Sequence, residues 1–336
     1  MARIAINGLG RIGKLLVRNL VDQGAGGELV LLNDPVGTPE QHALWLEFDS
    51  VHGRWPAAIA HDANSLTLNG QRIALTQHRQ IEDLPLAAMG IDLVIDCTGL
   101  FKSAAKLAPY FAAGVRKVLV SAPVKDGGAL NLVYGVNHHL YDATRHSIVT
   151  AASCTTNCLA PVVKVLHEGL GIRHGSITTI HDVTNTQTIV DRPAKDTRRA
   201  RSALNNLIPT TTGSATAIAL IYPELAGRLN GHAVRVPLLN ASLTDCVFEV
   251  ERATTAMQVN ALLRDAASGS LAGILGFEDR ALVSSDFTND PRSAIIDGPS
   301  TLVVNDTQVK VYAWYDNEWA YTCRMADIAR MITPIL

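Results

Sequence analysis

Cysteine is scarce in this chain: five in 336 residues, at positions 97, 154, 158, 246 and 323. So few, odd in number and without a CxxC pair, they do not make a disulfide framework. No Cys/His cluster has zinc spacing, so no metal site is expected. Apolar surroundings suggest that Cys97, Cys246 and Cys323 are small core residues. Charge of one sign is also lacking. The formal net charge of −2 gives no electrostatic case for a nucleic acid or a membrane surface as partner. No stretch approaches the roughly 18 uninterrupted apolar residues of a membrane span. The N-terminal MARIAINGLGRIG lacks the apolar core and small-residue cleavage site of a signal peptide, so a cytoplasmic protein is expected. Internal repeats, linkers and low-complexity segments are absent as well.

What remains is globular: 47% hydrophobic and 18% charged residues, over a length suited to two domains. Residues 2–7 read as a buried strand, KLLVRNLVDQG as a helix and ELVLLND as a second strand. IDLVIDCTG and KVLVSAP are apolar runs flanking the helix-like KSAAKLAPYFAAG. Strand–helix–strand alternation predicts a doubly wound parallel sheet covered by helices. From about residue 150 the pattern changes. ASCTTNCLAPVVKVLHEGLG reads as a turn into an amphipathic helix and GSITTIHDVT as a strand. A long polar loop, NTQTIVDRPAKDTRRARSALNN, follows. HAVRVPLL, SLTDCVFEVER, STLVVND and TQVKVYAWY then read as strands without intervening helices. This predicts an α+β domain with a mostly antiparallel sheet. NEWAYTCRMADIARMITPIL looks helical.

Gly8-Leu9-Gly10-Arg11-Ile12-Gly13 is a GxGxxG motif between a predicted strand and helix, the context that gives this motif meaning. Gly8 permits the tight turn, Gly10 lets the backbone approach a pyrophosphate, and Gly13 lets helix and strand pack closely. The helix N-terminus offers N–H groups and positive dipole to phosphates. Asp34 ends the second strand about 20 residues on, where a carboxylate would hold ribose hydroxyls and repel a 2′-phosphate, favouring NAD. The alternative is a plain turn with an unrelated surface acid.

Ser153-Cys154-Thr155-Thr156-Asn157-Cys158 precedes a helical pattern. Ser153 suits an N-cap, which would put Cys154 in the first turn, where the helix dipole favours a thiolate. His181, ending the strand-like SITTIH, is the candidate base. Cys158, one turn along, begins an apolar segment and suits core packing. By spacing alone Cys154 reads equally as a capped, buried cysteine, and His181 as an ordinary histidine.

At these residues the sequence resembles the glyceraldehyde-3-phosphate dehydrogenase family. ASCTTNCLAP looks like its active-site segment. INGLGRIG, FDSVHGRW, the CTG of DCTGLF, VSAP, YGVNHHLYD, TTIH, RRAR, IPTTTG, PELAGRLNG, RVP and WYDNE look like family segments in family order, over essentially the whole chain. The resemblance implies a Rossmann dinucleotide-binding domain over 1–152 and a catalytic domain over 153–316. Residues 317–336 would form a C-terminal helix returning to the first. It implies that Cys154 attacks the aldehyde of glyceraldehyde 3-phosphate, with His181 taking protons. NAD would be the hydride acceptor, held through Gly8, Gly10, Arg11, Ile12, Gly13, Asp34, Thr98, Ser121 and Asn317. Inorganic phosphate would cleave the thioester to an acyl phosphate. Thr184 and Arg235 would bind the substrate phosphate, and Ser153, Thr155, Thr212 and Gly213 the inorganic one, with Arg199 near both. Without the resemblance the RRAR run (Arg198, Arg199, Arg201) reads as a solvated basic face. A homotetramer is also implied, with the loop around 182–206 near a neighbouring subunit's cofactor.

Some positions depart from the family's commonest pattern: Arg192 before Pro193, Thr186 for an Asp, Thr216 for a Lys, Asn33-Asp34-Pro35, and Trp319. Arg192 would tolerate a 2′-phosphate, against Asp34, which would contact the ribose directly. The departures suggest a paralogue, and resemble a branch associated with arsenate resistance, in which arsenate would replace phosphate as the cleaving anion. The competing readings are an erythrose-4-phosphate dehydrogenase that uses water, and a non-catalytic RNA-binding role.

Overall fold

A computed structural model describes residues 1–336, and the chain divides into two compact units. The first comprises Met1–Tyr134, His138–Ser153 and Tyr321–Leu336, and the second Gly135–Asn137 and Cys154–Ala320.

The first unit is built on nine strands: β1 (Arg3–Asn7), β2 (Glu28–Asn33), β3 (Ile59–His61), β4 (Ser65–Leu68), β5 (Gln71–Thr76), β6 (Leu93–Asp96), β7 (Lys117–Val120), β8 (Leu130–Asn131) and β9 (Ile148–Thr150). Their order across the sheet is β3-β4-β5-β2-β1-β6-β7-β9-β8. Pairing is parallel from β5 through to β8, and only β3–β4 and β4–β5 are antiparallel. β6 and β7 are buried at every residue, as strands covered on both faces must be. Helix α1 (Arg11–Gln23) follows β1 and presents Leu15, Leu16, Val17 and Leu20 to the core. α2 (Pro39–Glu47) starts at a capping box, with the Thr38 hydroxyl accepting from the Gln41 N–H and Pro39 at the first helical position. α3 (Ala104–Ala112) is capped by the Ser103 hydroxyl. The predicted strand and helix around the glycines, the second strand and α3 are all present. Residues 39–76, which carry no clean period, hold α2 and the meander β3–β5.

The second unit opens with α4 (Cys154–Leu170). It contains β10 (Ile172–His181), β11 (Ile208–Thr211), the one-turn helix α5 (Ser214–Ala217), β12 (Leu229–Arg235), β13 (Ser242–Val250), α6 (Ala256–Ser268), β14 (Leu275–Glu278), β15 (Ala294–Asp297), β16 (Leu302–Val304) and β17 (Gln308–Tyr315). The order is β11-β12-β10-β13-β17-β15-β14, with β16 on β17. Five of these pairings are antiparallel, while β10–β12 and β14–β15 are parallel. β13 alternates strictly between buried and half-buried residues, the period-2 pattern of a sheet with one face in the core.

α7 (Trp319–Ile332) begins where the Asp316 carboxylate accepts from the Glu318 and Trp319 N–H groups. Its later turns belong to the first unit. Arg330 donates to the Gly24 carbonyl at 3.0 Å, and the Thr333 hydroxyl to that of Ala25 at 3.3 Å. No helix is long and apolar enough to cross a membrane. Cys158, Cys246 and Cys323 are buried, but Cys97, expected in the core, keeps part of its surface, because it lies beyond the end of β6.

Candidate active site

In the first unit the glycine turn joins β1 to α1. Gly8 has φ +96°, and a Cβ there would stand 2.7 Å from the Thr98 nitrogen. A Cβ on Gly13 would stand 1.9 Å from the Gly8 carbonyl oxygen, so neither glycine can carry a side chain. Gly10 differs: a Cβ would meet nothing within 4 Å. Its neighbourhood is open, as a backbone approached by a phosphate requires. Gly10 is also the N-cap of α1 and gives no side-chain cap, so the positive end of the helix dipole meets this opening without a capping side chain between. The Arg11 guanidinium itself is paired with Asp49. Asp34 Oδ2 accepts from the Leu9 N–H at 2.8 Å and Oδ1 from that of Val36 at 2.9 Å. The carboxylate is thereby tied to the glycine turn. Thr98 and Ser121 follow the C-terminal ends of β6 and β7, the edge where such sheets bind ligands. The Thr98 hydroxyl donates to Asp96 at 2.8 Å. Below this edge a buried chain of bonds runs from Asn33 through Asn7 and Tyr110 to Asp96. Burial raises the Asp96 carboxyl to about 6, against the pull of its Tyr110 and Thr98 hydrogen bonds.

In the second unit Cys154 is the first residue of α4 and half-buried. Ser153 directly precedes the helix, after Ala152 at φ 50°. Cys154 Sγ lies 3.7 Å from His181 Nε2, within reach for a sulfur hydrogen bond. Cys158 is inert by comparison: its thiol is pushed up to about 12 by burial and lies 3.6 Å from the Thr244 hydroxyl.

His181 is the last residue of β10, and in the parallel ladder its Cα partner is Arg235, the last residue of β12. This register brings together two residues 54 positions apart. Arg235 Nη1 lies 2.7 Å from His181 Nδ1 and donates to the Asp182 carbonyl at 3.0 Å. The Asp182 carboxylate lies 2.7 Å from the same Nδ1, and its side chain has no exposed surface. Burial of the imidazole works against protonation, but the Asp182 hydrogen bond and the neighbouring Cys154 outweigh it and raise His181 to about 9. Tyr315, on β17, meets the imidazole edge-on with ring centroids 6.0 Å apart. Its hydroxyl lies 2.9 Å from that of Thr155 and 2.8 Å from that of Thr179. The Thr155 hydroxyl is therefore turned to the core side of the helix.

The remaining predicted anion residues divide. Arg199 donates to the Thr186 hydroxyl at 3.1 Å and the Thr210 hydroxyl at 3.2 Å. Thr186 bonds the Thr184 hydroxyl at 2.9 Å, so Thr184, Thr186 and Arg199 form one connected group. Thr212 and Gly213 lead into α5, with the Thr212 hydroxyl accepting from the Ser214 N–H at 3.3 Å. Arg198 and Arg201 turn elsewhere, to the Pro209 carbonyl and to Asp191. Arg235 Nε is buried with no partner, a cationic donor awaiting an acceptor. Asn317 is buried, 3.4 Å from the Ser242 hydroxyl. Asp182, Tyr315 and Ser242 were not singled out from the sequence.

A dinucleotide-binding sheet and a thiol paired with an imidazole beside an arginine are the parts of a dehydrogenase that works through a cysteine. The comparisons with known proteins agree. The model of the glyceraldehyde 3-phosphate dehydrogenase NAD binding domain matches residues 2–104, and that of the C-terminal domain matches residues 153–317. The chain is 57% identical over 331 residues to glyceraldehyde-3-phosphate dehydrogenase 3 of Nostoc sp., covering 98% of both chains. It is 50% identical over 329 residues to glyceraldehyde-3-phosphate dehydrogenase of Pseudomonas aeruginosa, covering 97% of both. This chain belongs to the glyceraldehyde-3-phosphate dehydrogenase family. Its cofactor is NAD.

Proposed function

We propose that the chain oxidises glyceraldehyde 3-phosphate with NAD and inorganic phosphate, giving 1,3-bisphosphoglycerate through a thioester on Cys154. The observation that carries this reading is the Cys154 thiol at a helix N-terminus, 3.7 Å from an imidazole. His181 Nε2 takes the thiol proton, and the thiolate adds to the aldehyde carbon. The Cys154 N–H and the protonated His181 stabilise the oxyanion. When bound, NAD would supply the hydride acceptor; Gly8, Gly10, Gly13 and Asp34 are the residues of the first unit that would hold it, and Asn317 would take its amide. The imidazolium gives its proton to the oxyanion, and the neutral His181 takes it back from the hydroxyl as hydride leaves and the thiohemiacetal becomes a thioester. A phosphate oxygen then attacks the acyl carbon, the C–S bond breaks, and the thiolate returns.

Arg235 with Thr184 would take the substrate phosphate, supported by the unpartnered Nε beside His181. Ser153, Thr155, Thr212 and Gly213, with Arg199 near both, would take the inorganic one, Thr155 through its N–H. A homotetramer fits the exposed apolar side chains of Ile189, Val190, Leu204 and Leu207, which isolated in water would form an uncovered patch. Five free cysteines, one of them a nucleophile, suit the reducing cytoplasm.

The test is absorbance of the reduced nicotinamide with substrate and NAD, and with phosphate, arsenate or neither. Turnover that requires an oxyanion supports the thioester mechanism, and the better anion separates a phosphate enzyme from an arsenate one. Equal turnover without either anion means that water cleaves the thioester, as in an erythrose-4-phosphate dehydrogenase. No turnover at all sinks the enzymatic reading.

A further inference from the structure

His181 and Asp182 are neighbours in sequence, and in a continuing strand their side chains would point to opposite faces. Here β10 stops at His181. The Asp182 N–H lies 3.2 Å from the Ser242 oxygen, and the next residue, Val183, bonds the Leu238 carbonyl. The turn brings the Asp182 carboxylate to 2.7 Å from His181 Nδ1. The Ser242 hydroxyl donates to the same carboxylate at 3.3 Å, while its second oxygen is buried without a partner. Burial pushes this carboxyl up, and the imidazole is the foremost of the partners, Asn317 among them, that favour its charged form.

Nδ1 also has Arg235 Nη1 at 2.7 Å. A guanidinium only donates, so Nδ1 cannot serve both neighbours. A proton on Nδ1 resolves the conflict: it goes to the carboxylate as the shorter, charge-assisted bond, with the Asp182 carbonyl 3.0 Å from the same nitrogen, and the Arg235 hydrogen goes to that carbonyl at 3.0 Å. In the neutral ring Nε2 then carries the lone pair and faces Cys154 Sγ at 3.7 Å.

We propose that Asp182 is a positioning residue for the reaction: its carboxylate holds a proton on His181 Nδ1, directs the Nε2 lone pair at Cys154, and stabilises the imidazolium formed when the thiol proton is transferred. No proton passes to Asp182 itself. The proposal rests on the reading of Cys154 as nucleophile. It deepens that reading by making the base a two-residue unit. The groups facing His181 are Cys154 from α4, Asp182, Arg235 from β12 and the Tyr315 ring from β17, with Glu318 acting on Asp182 and Arg199 on Arg235. Of the ionisable groups in contact with Nδ1, only Asp182 is an anion.

The test is Asp182→Asn, which keeps the shape and removes the charge. The hydride-transfer burst should fall about 10-fold or more, and its alkaline limit should move down by about one pH unit or more, with NAD affinity unchanged. Alkylation of Cys154 by iodoacetamide without substrate should show the same shift in its pH profile. In the unaltered protein, ¹⁵N resonances of the His181 ring, assigned with His181→Asn, should show Nδ1 protonated across neutral pH. This last measurement decides the matter if D182N does not fold. A D182N burst and alkylation profile matching the unaltered protein, or an unprotonated Nδ1, overturns the proposal. Absence of any turnover in the unaltered protein would instead sink the reading of the function, while alkylation and ring resonances would still judge the pair.

Discussion

The two units build their sites by opposite means. The first uses backbone: three glycines within six residues shape the turn between β1 and α1, and side chains such as Arg11 are committed to internal partners. The second uses side chains drawn from α4, β10, β12 and β17, which meet because the sheet register puts them side by side. A backbone-built site depends on local geometry and tolerates no added atom at Gly8 or Gly13. A side-chain-built site depends on long-range pairing and on the charge states of its members.

The contrast can be broken by separating the two functions. Cys154→Ser should lower kcat by roughly 10⁴-fold or more, while calorimetric NAD binding stays as it was; surviving turnover would remove Cys154 as nucleophile. Gly13→Ala should do the reverse. Its methyl would meet the Gly8 carbonyl at 1.9 Å, costing about 3 kcal/mol by overpacking and abolishing NAD binding, with iodoacetamide still reacting at Cys154. Urea unfolding and calorimetry would show whether the damage stays in the first unit.

Titration sharpens the comparison. Both Asp96 and His181 bind a proton more tightly folded than unfolded, so each contributes stability that is lost as pH rises. For Asp96, raised from 3.8 to about 6, the loss falls between those values. For His181, raised from 6.5 to about 9, it falls between about 6.5 and 9. Each is worth about 3 kcal/mol at most. Unfolding free energies across this range should show two separate declines, with Asp96→Asn removing the acidic one. A flat profile above pH 7 would mean that His181 is not held charged. The smallest effect is expected at Tyr315→Phe, which leaves the Thr155 and Thr179 hydroxyls without their shared partner. This should cost about 1–2 kcal/mol in thermal unfolding and leave NAD affinity unchanged.

The same contrast explains what could be read from the sequence. The glycine turn was legible because strand, motif and helix are contiguous, and the period-2 alternation of Ser242–Val250 announced β13. Cys154 and His181 were found through their local settings, a helix start and a strand end. Asp182 was not, since adjacency in a strand argues against contact, and only the end of β10 reverses that. Tyr315 was hidden for a related reason: it lies in an alternating strand and reads as core until pairing puts its ring against His181. Thr155 was assigned to an anion on its hydroxyl, which the helix instead turns toward Tyr315. Residues 39–76 stayed unread because α2 is short and is announced by its Thr38 cap and Pro39, not by a long apolar period.

The parallel pairing of β10 with β12 has a consequence for how this chain can change length. His181 and Arg235 face each other as the last rungs of one ladder. Deleting or inserting one residue anywhere in Leu229–Arg235 would put Arg235 on the other face of the sheet and set a valine or a proline-adjacent carbon in its place. Substitutions along these strands can be absorbed singly, but a frame change cannot. Length variation that leaves the ladder count intact must therefore fall outside the paired residues of β10 and β12.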